Sequence, residues 1–427
     1  MEKIIKKCSF CGEIIKNSKK AFPSPLVDGV YICSKCVESC NTEMGNRAKK
    51  QFNKKESKSL TPKAIKDLLD EVVIEQDTAK KGLAVALYDM QKAKVNPDLI
   101  CDNILLLGDT GVGKTWLIKN AAKILGVPYS VNDASILTAS GYVGESVDKV
   151  LIRLIESANY DIKKAEHGII FLDEIDKIAT RKNGIVAGNE IKTDAVQSEL
   201  LTILNGTIKE VTMPGGKTYN LNTKNILFIF GGAFEGISDI IERRITGQGN
   251  FSPLGNKKAA ILNKDNELKY HNELISKVEV EDLKAYGLKS EFIGRISSVY
   301  ALNRLSRDNL VQILKLNCGL IAKYKESFSM DNIELEVEED ALYVIADEAV
   351  KQKTGARALS SKMEKTFREL KFNTPSIENL KKITITKDFV SAILNDKPAE
   401  AKFEYKSPEE IEASDEILEE TIEGGIN

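Results

Sequence analysis

No apolar run in this sequence approaches the ~20 residues needed to span a bilayer, so a membrane helix is not expected. The N-terminus, Met1-Glu-Lys-Ile-Ile-Lys-Lys-Cys8, lacks both the apolar core of a secretory signal and the Arg-rich pattern of a transit peptide. A cytoplasmic protein is therefore expected. Excess charge is missing as well. The 61 basic and 63 acidic residues leave a net charge of −2, which supplies no global attraction to nucleic acid or to a membrane surface. No repeat of solenoid length is visible. What remains is a chain of 427 residues, 42% hydrophobic and 29% charged, too long for one compact core and suited to two or three globular domains.

One segment stands out chemically. Gly108-Asp109-Thr110-Gly111-Val112-Gly113-Lys114-Thr115 satisfies G-x-x-x-x-G-K-[ST] at every fixed position. The apolar run Ile104-Leu-Leu-Leu107 enters it as a buried strand. A helical pattern leaves it, with Leu117, Ala121, Ile124 and Leu125 on one face. Glycines let the backbone wrap phosphate oxygens, and the amides and helix N-terminus supply positive potential. In that reading Lys114 reaches the β- and γ-phosphates and Thr115 holds Mg²⁺. A second apolar run, His167-Gly-Ile-Ile-Phe-Leu-Asp173-Glu174-Ile-Asp176, ends in carboxylates. As a strand parallel to the first it brings Asp173 beside Mg²⁺ and leaves Glu174 to orient and activate a water. Strands ending in acids are common, and it is the pairing with the phosphate loop that points to nucleotide hydrolysis. The guanine-reading Asn-Lys-x-Asp is absent, which favours ATP over GTP.

Four of the seven cysteines form two knuckles, Cys8-x-x-Cys11 and Cys33-x-x-Cys36, a zinc-ligand pattern whose separation is slightly longer than usual. A reducing cytosol argues against disulfides. With few apolar residues before position 45, such a module needs metal to fold, and nothing suggests an open coordination position, so the Zn²⁺ is read as structural.

These signals order the chain. Residues 1–45 are a zinc-binding module, and 46–60 a polar, Lys-rich, flexible linker. Thr61-Pro62 opens a helix. From 61 to 302 strands and helices alternate, which predicts an α/β domain with a parallel, helix-covered sheet. Asn225-Ile-Leu-Phe-Ile-Phe230 is a further buried strand, whereas Gly247 to Leu274 is polar, poorly patterned and reads as an exposed loop or insertion. A smaller, mainly helical domain covers 303–397, and 398–427 reads as an acidic, disordered tail.

Taken together and in order, the knuckles, the phosphate loop, Gly141-Tyr142-Val143-Gly144, Phe171-Leu-Asp-Glu-Ile-Asp-Lys177, Glu291-Phe-Ile-Gly-Arg295 and Gly355-Ala-Arg357 closely resemble the ClpX family of AAA+ protein unfoldases. The resemblance runs from Cys8 to about residue 395. It implies a homo-hexameric ring that uses ATP to thread unfolded or tagged proteins through a central pore, with no protease activity of its own. Gly141 to Gly144 match the pore loop that grips the polypeptide, although by itself the segment reads as a tyrosine in a tight turn. Arg295 matches the arginine finger that reaches a neighbouring subunit's ATP, and Arg357 the small-domain arginine that contacts the same subunit's nucleotide. Val73 and Ile74 fall where the family lines its adenine pocket.

The sequence also departs from the family. Where Ile-Gly-Gln is usual it reads Ile74-Glu75-Gln76. The Ile-Gly-Phe that docks on the ClpP peptidase is replaced by Thr246-Gly-Gln-Gly-Asn-Phe251-Ser-Pro253-Leu254-Gly255. The basic Arg-Lys-His loop at the pore entrance is replaced by Met213-Pro-Gly-Gly-Lys217-Thr-Tyr219, and Asn189-Glu190 stand about where the second pore loop has Arg-Asp. ClpP and adaptor proteins at the zinc module are thus candidate partners. The alternatives are a stand-alone remodeller uncoupled from a peptidase, a HslU-like unfoldase, a non-hydrolysing scaffold and a nucleic-acid-acting AAA+ motor. The knuckles disfavour the HslU-like reading. Intact Lys114, Asp173, Glu174, Arg295 and Arg357 disfavour the scaffold, and balanced charge with an apolar pore loop disfavours the nucleic-acid motor.

Overall fold

The computed structural model describes residues 7–14, 21–23, 30–37, 60–96, 99, 101–138, 145–180, 187–247, 264–352 and 354–408. The pore-loop candidates Gly141, Tyr142, Val143 and Gly144 lie outside the described residues, as do 46–59 of the expected linker, the side chains of Asn189 and Glu190, and residues 248–263 and 409–427. The chain divides into two units, Met1–Leu60 and Thr61–Asn427.

In the first unit, strand Ala21–Pro23 pairs antiparallel with Tyr31–Cys33, and a helical turn follows at 34–37. Among its described residues apolar packing does not hold it together. Phe10 is 69% exposed and Ile14 57%, while Cys8 and Cys36 are buried. A module whose buried side chains are thiols needs something to bind the thiols.

The second unit is built on five parallel strands. Their order across the sheet is Ser298–Ala301, Ile104–Leu107, Leu227–Gly232, Ile169–Asp173, Tyr129–Asp133. The three central strands are apolar and almost wholly buried, as strands covered by helices on both faces must be. Ligands of such sheets bind beyond the carboxyl ends of the strands. That edge carries the phosphate loop after Leu107, Asp173 at the end of its strand, and Gly231-Gly232 between them. Gly231 is required there. A Cβ would stand 2.6 Å from the Phe171 ring and 2.9 Å from Asp173 Oδ1.

Beyond Ala301 a second core forms. Helices Arg307–Lys315, Leu320–Ser329, Glu339–Lys351, Ala356–Asn373 and Lys387–Leu394 pack with a three-stranded sheet, Glu334–Val337, Leu380–Ile385 and Lys402–Tyr405. Ser306 starts the first helix with a capping box, its hydroxyl accepting from Asn309 N–H.

Two expectations change here. The acidic, disordered segment expected from 398 begins instead with strand Lys402–Tyr405, antiparallel to Leu380–Ile385. Ala401 is buried in the core, Ala399 and Phe403 pack against it, and Lys402 and Lys406 balance Glu400 and Glu404, so the acidic run begins only beyond this strand. The loop expected over 247–274 contains the helix Lys264–Ile275. Its last residues, Leu274 and Ile275, are buried in the main core, and polar bonds hold the turn before them: Tyr270 donates to Glu242 Oε1 at 2.9 Å, and Asn272 binds the backbone of Arg304. The segment Met213–Tyr219 also gains structure, lying within a hairpin of Ile208–Thr212 and Thr218–Asn222.

Candidate nucleotide cleft and metal cluster

A cavity of about 540 Å³ opens at the carboxyl edge of the five-stranded sheet, between the large α/β domain and the helical domain. The phosphate loop forms one wall. Gly111 and Gly113 take φ of 82° and 101°, which only glycine adopts at no steric cost. Helix Lys114–Leu125 begins directly after Gly113. In the cavity wall Thr115 Oγ1 donates to Asp173 Oδ2 at 3.1 Å. This is an all-oxygen pair from two elements, the donor chemistry that a hard divalent cation takes. Lys114 is buried, and its ammonium donates to Gly108 O at 2.5 Å and Asp109 O at 3.1 Å. Burial lowers its pKa below the ordinary lysine value, against the opposing pull of Asp173, Asp176 and Asp109.

Glu174 also lines the cavity. Its φ is 58°, and its N–H donates to Asp173 Oδ1 at 3.0 Å. A left-handed glutamate is strained, and such strain clusters at functional positions. Asp176, to which the sequence pattern gave no role, lies 3% exposed on the same wall, with Oδ1 accepting from Ala233 N–H at 3.2 Å.

The opposite face is apolar. Val73 and Ile74 contribute, with Val72, Trp116, Leu305 and Leu320. The Trp116 indole N–H donates to Val72 O at 2.8 Å. Glu75 and Gln76, where the family has Gly-Gln, take φ of 61° and 64° in succession. Both are paid for by side-chain bonds. Glu75 Oε1 accepts from Asn303 Nδ2 at 3.1 Å. Buried Gln76 accepts from Asn303 N–H at 2.7 Å and donates to Asn303 O at 2.9 Å and Val112 O at 3.3 Å. Gln76 thus joins the phosphate loop to the segment between the two domains. The sequence signal for it was only the altered turn.

Arg357 lines the cavity from the first turn of helix Ala356–Asn373. Arg295 does not. It is exposed after the short helix Ser290–Ile293, outside this chain's own cleft, and its carbonyl accepts from Asn103 Nδ2 at 3.0 Å.

In the N-terminal unit Cys8, Cys11, Cys33 and Cys36 converge, with all four Sγ atoms within 4.8 Å of one another. Cys8–Cys36 and Cys11–Cys33 are both 3.9 Å apart. Tetrahedral zinc with Zn–S bonds of ~2.3 Å places its sulfurs about 3.8 Å apart, so the four thiols fit that ion. Cys33 N–H donates to Cys8 Sγ at 3.3 Å. Backbone N–H groups, that of Cys11 foremost, lower the Cys8 thiol to about 6 despite its burial. Burial and the neighbouring sulfurs push the Cys36 thiol up instead, so the charge of the cluster gathers on Cys8 first.

Comparison with known proteins agrees with this layout. Residues 101–299 match the AAA domain (Cdc48 subfamily), and residues 305–372 match the C-terminal, D2-small domain of ClpB protein. The ATP-dependent Clp protease ATP-binding subunit ClpX of Treponema denticola is 39% identical over 396 residues, which cover 90% of this chain and 93% of that protein. The proteins of the same name from Borrelia duttonii and Borrelia recurrentis are each 38% identical over 401 residues, covering 90% of this chain and 91% of theirs. With the phosphate loop, the acidic strand, the helical second domain and the four-thiol cluster all present, this chain belongs to the ClpX family.

Proposed function

We infer that this chain is an ATP-driven protein unfoldase and translocase, the ATP-binding partner of a separate peptidase rather than a protease itself. The observation that carries the reading is the Thr115–Asp173 pair beside Lys114 and Glu174 in one cleft, in a chain of this family. Thr115 and Asp173 fit Mg²⁺, which when bound would neutralise charge on the phosphates. Lys114 neutralises further phosphate charge, and the loop amides orient the triphosphate. Val73 and Ile74 pack on the base. Glu174 accepts a proton from the attacking water. Arg357 senses the nucleotide from the second domain. Arg295, exposed and away from its own cleft, serves a neighbouring subunit, which requires a ring, and six copies are the family's number. Gly141 to Gly144 grip the substrate. The four thiols hold one structural Zn²⁺. Among the described residues no helix is long and apolar enough to cross a membrane. A cytoplasmic location is proposed from the family. ClpP is the proposed peptidase, with adaptors binding at the zinc module.

The test is loss of native fluorescence from a folded, C-terminally tagged reporter, with ATP, with and without the cognate ClpP. Irreversible unfolding should need ATP and should be lost in Tyr142→Ala while ATP hydrolysis continues. Unfolding without degradation when ClpP is added would support a stand-alone remodeller. No ATP-dependent unfolding, or full unfolding by Tyr142→Ala, would overturn the reading.

A further inference from the structure

The phosphate loop carries an acid that the proposed chemistry does not use. Asp109 occupies the first position that G-x-x-x-x-G-K-[ST] leaves open. A carboxylate there opposes the binding of a triphosphate. Two side chains face it. Arg304 Nε forms a hydrogen-bonded ion pair with Oδ2, and His271 Nε2 lies 3.8 Å from Oδ1. Burial, and then the charge of Arg304, lower the pKa of His271 below the ordinary histidine value, against the pull of Asp109 and Glu267. Arg304 is therefore the standing cation.

Arg304 is also held by its backbone. Its N–H donates to Asn272 Oδ1 at 2.8 Å, and its carbonyl accepts from Asn272 Nδ2 at 3.2 Å. The preceding residue, Asn303, is clasped by Gln76. This short segment connects strand Ser298–Ala301 to helix Arg307–Lys315, and so one domain to the other. The Arg304 side chain is 41% exposed and that of Asp109 34%. An ion pair this open adds little to stability. Its effect is on local charge and on where the loop is held.

We propose that Arg304 is a positioning residue of the nucleotide site: it cancels the charge of Asp109 and ties the phosphate loop to the interdomain connection, with Asn272 of helix Lys264–Ile275 fixing its backbone. The proposal rests on the reading of the cleft as an ATP site. By linkage, movement of the connection alters nucleotide affinity, and nucleotide binding alters the connection to the same degree.

The experiment uses the full-length protein, calorimetric titration with ADP and Mg²⁺, and steady-state ATP hydrolysis. Arg304→Ala should bind ADP ~10-fold more weakly, with KM for ATP raised in proportion and kcat changed little, and the defect should shrink at high salt. Asp109→Asn should bind a few-fold more tightly. The double variant should recover most of the loss, because the charge that Arg304 masks is gone, and the part not recovered measures the tie to the connection. A double variant as weak as Arg304→Ala would make Arg304 merely structural and overturn the proposal, as would Arg304→Ala binding like the parent. If Arg304→Ala fails to fold, Asp109→Asn decides: unchanged or weaker binding overturns the proposal. A folded parent that binds neither ADP nor ATP would instead overturn the ATP reading, and the proposal with it.

Discussion

Gly111→Ala probes the contact on which the two-domain cleft depends. Gly111 has φ +82°, and a Cβ there would stand 1.9 Å from Thr354 O and 2.8 Å from its carbonyl carbon. Across the contact, Gly355 has φ +55°, and its own Cβ would meet Gly111 O at 2.7 Å. The two backbones touch, and Ala356 N–H donates to Gly111 O at 2.9 Å. Alanine brings a left-handed penalty of about 1–2 kcal/mol. Its clash is with backbone, so the loop and helix Ala356–Asn373 must separate, losing a hydrogen bond worth about 0.5–1.5 kcal/mol. The combined cost of about 1.5–3.5 kcal/mol falls on the arrangement that closes the cleft, a loss of roughly 10–400-fold in nucleotide affinity. Calorimetric titration with ADP and Mg²⁺ measures it. Gly216→Ala is the control. Gly216 has φ +84° with nothing within 4 Å of a Cβ, so only the backbone penalty applies, in a hairpin away from the cleft. Gly216→Ala should lose stability and keep its affinity. Gly111→Ala binding within ~3-fold of the parent would show that this backbone contact does not hold the cleft.

Two further outcomes are expected. Glu174→Gln should retain ATP binding and lose ~10²-fold or more in turnover, about 2.7 kcal/mol in the barrier; Arg295→Ala should do likewise, and mixing the two variants should restore part of the activity, because a mixed ring contains some complete sites, whereas proven subunit mixing without any gain would remove the trans role. Elemental analysis should find about one zinc per chain, and Cys33→Ser should lose both the metal and the dispersed NMR signals of the N-terminal module; a metal-free but folded module would contradict the role given to the thiols.

The parts of the site legible in the sequence are those with a short-range pattern. The strand Ile104–Leu107 is apolar throughout because both faces are covered, and the loop after it is fixed by glycines, a lysine and a threonine within eight residues. The strand ending at Asp173 has the same character. The convergence of the four thiols was legible from the two C-x-x-C spacings. Missed elements gave short or mixed signals. Strand Glu334–Val337 does alternate, Ile333-Glu-Leu335-Glu-Val337, but it is only four residues long inside a mainly helical region. Helix Lys264–Ile275 buries Leu274 and Ile275 at its end and is anchored before them by Tyr270 and Asn272 through hydrogen bonds to Glu242 and Arg304, so its apolar signal is confined to its last turn. Strand Lys402–Tyr405 is four residues long, joined to the core by Phe403 beside buried Ala401, and its signal is masked by the strongly acidic run that follows.

What no local pattern could show is how the cleft is tied together. Gln76 binds Asn303 across 227 residues, and Asp109 pairs with Arg304 across 195. Each member is unremarkable in sequence: a glutamine, an asparagine, a variable loop position, an arginine between domains. Their chemistry depends on convergence, which only the order of strands in the sheet provides, because the strand before Asn303 lies directly beside the strand before the phosphate loop. The same adjacency explains the left-handed backbone at Glu75 and Gln76. Ordinary residues tolerate that conformation at a cost of order 1 kcal/mol only where the surroundings over-determine it, and here Asn303 and Val112 hold both side chains in place. A glycine at position 75 would relieve the strain and delete the Glu75 carboxylate that Asn303 binds. The turn that departs from the family is therefore a structural joint of this chain, and it joins the same two segments that Arg304 and Asp109 do.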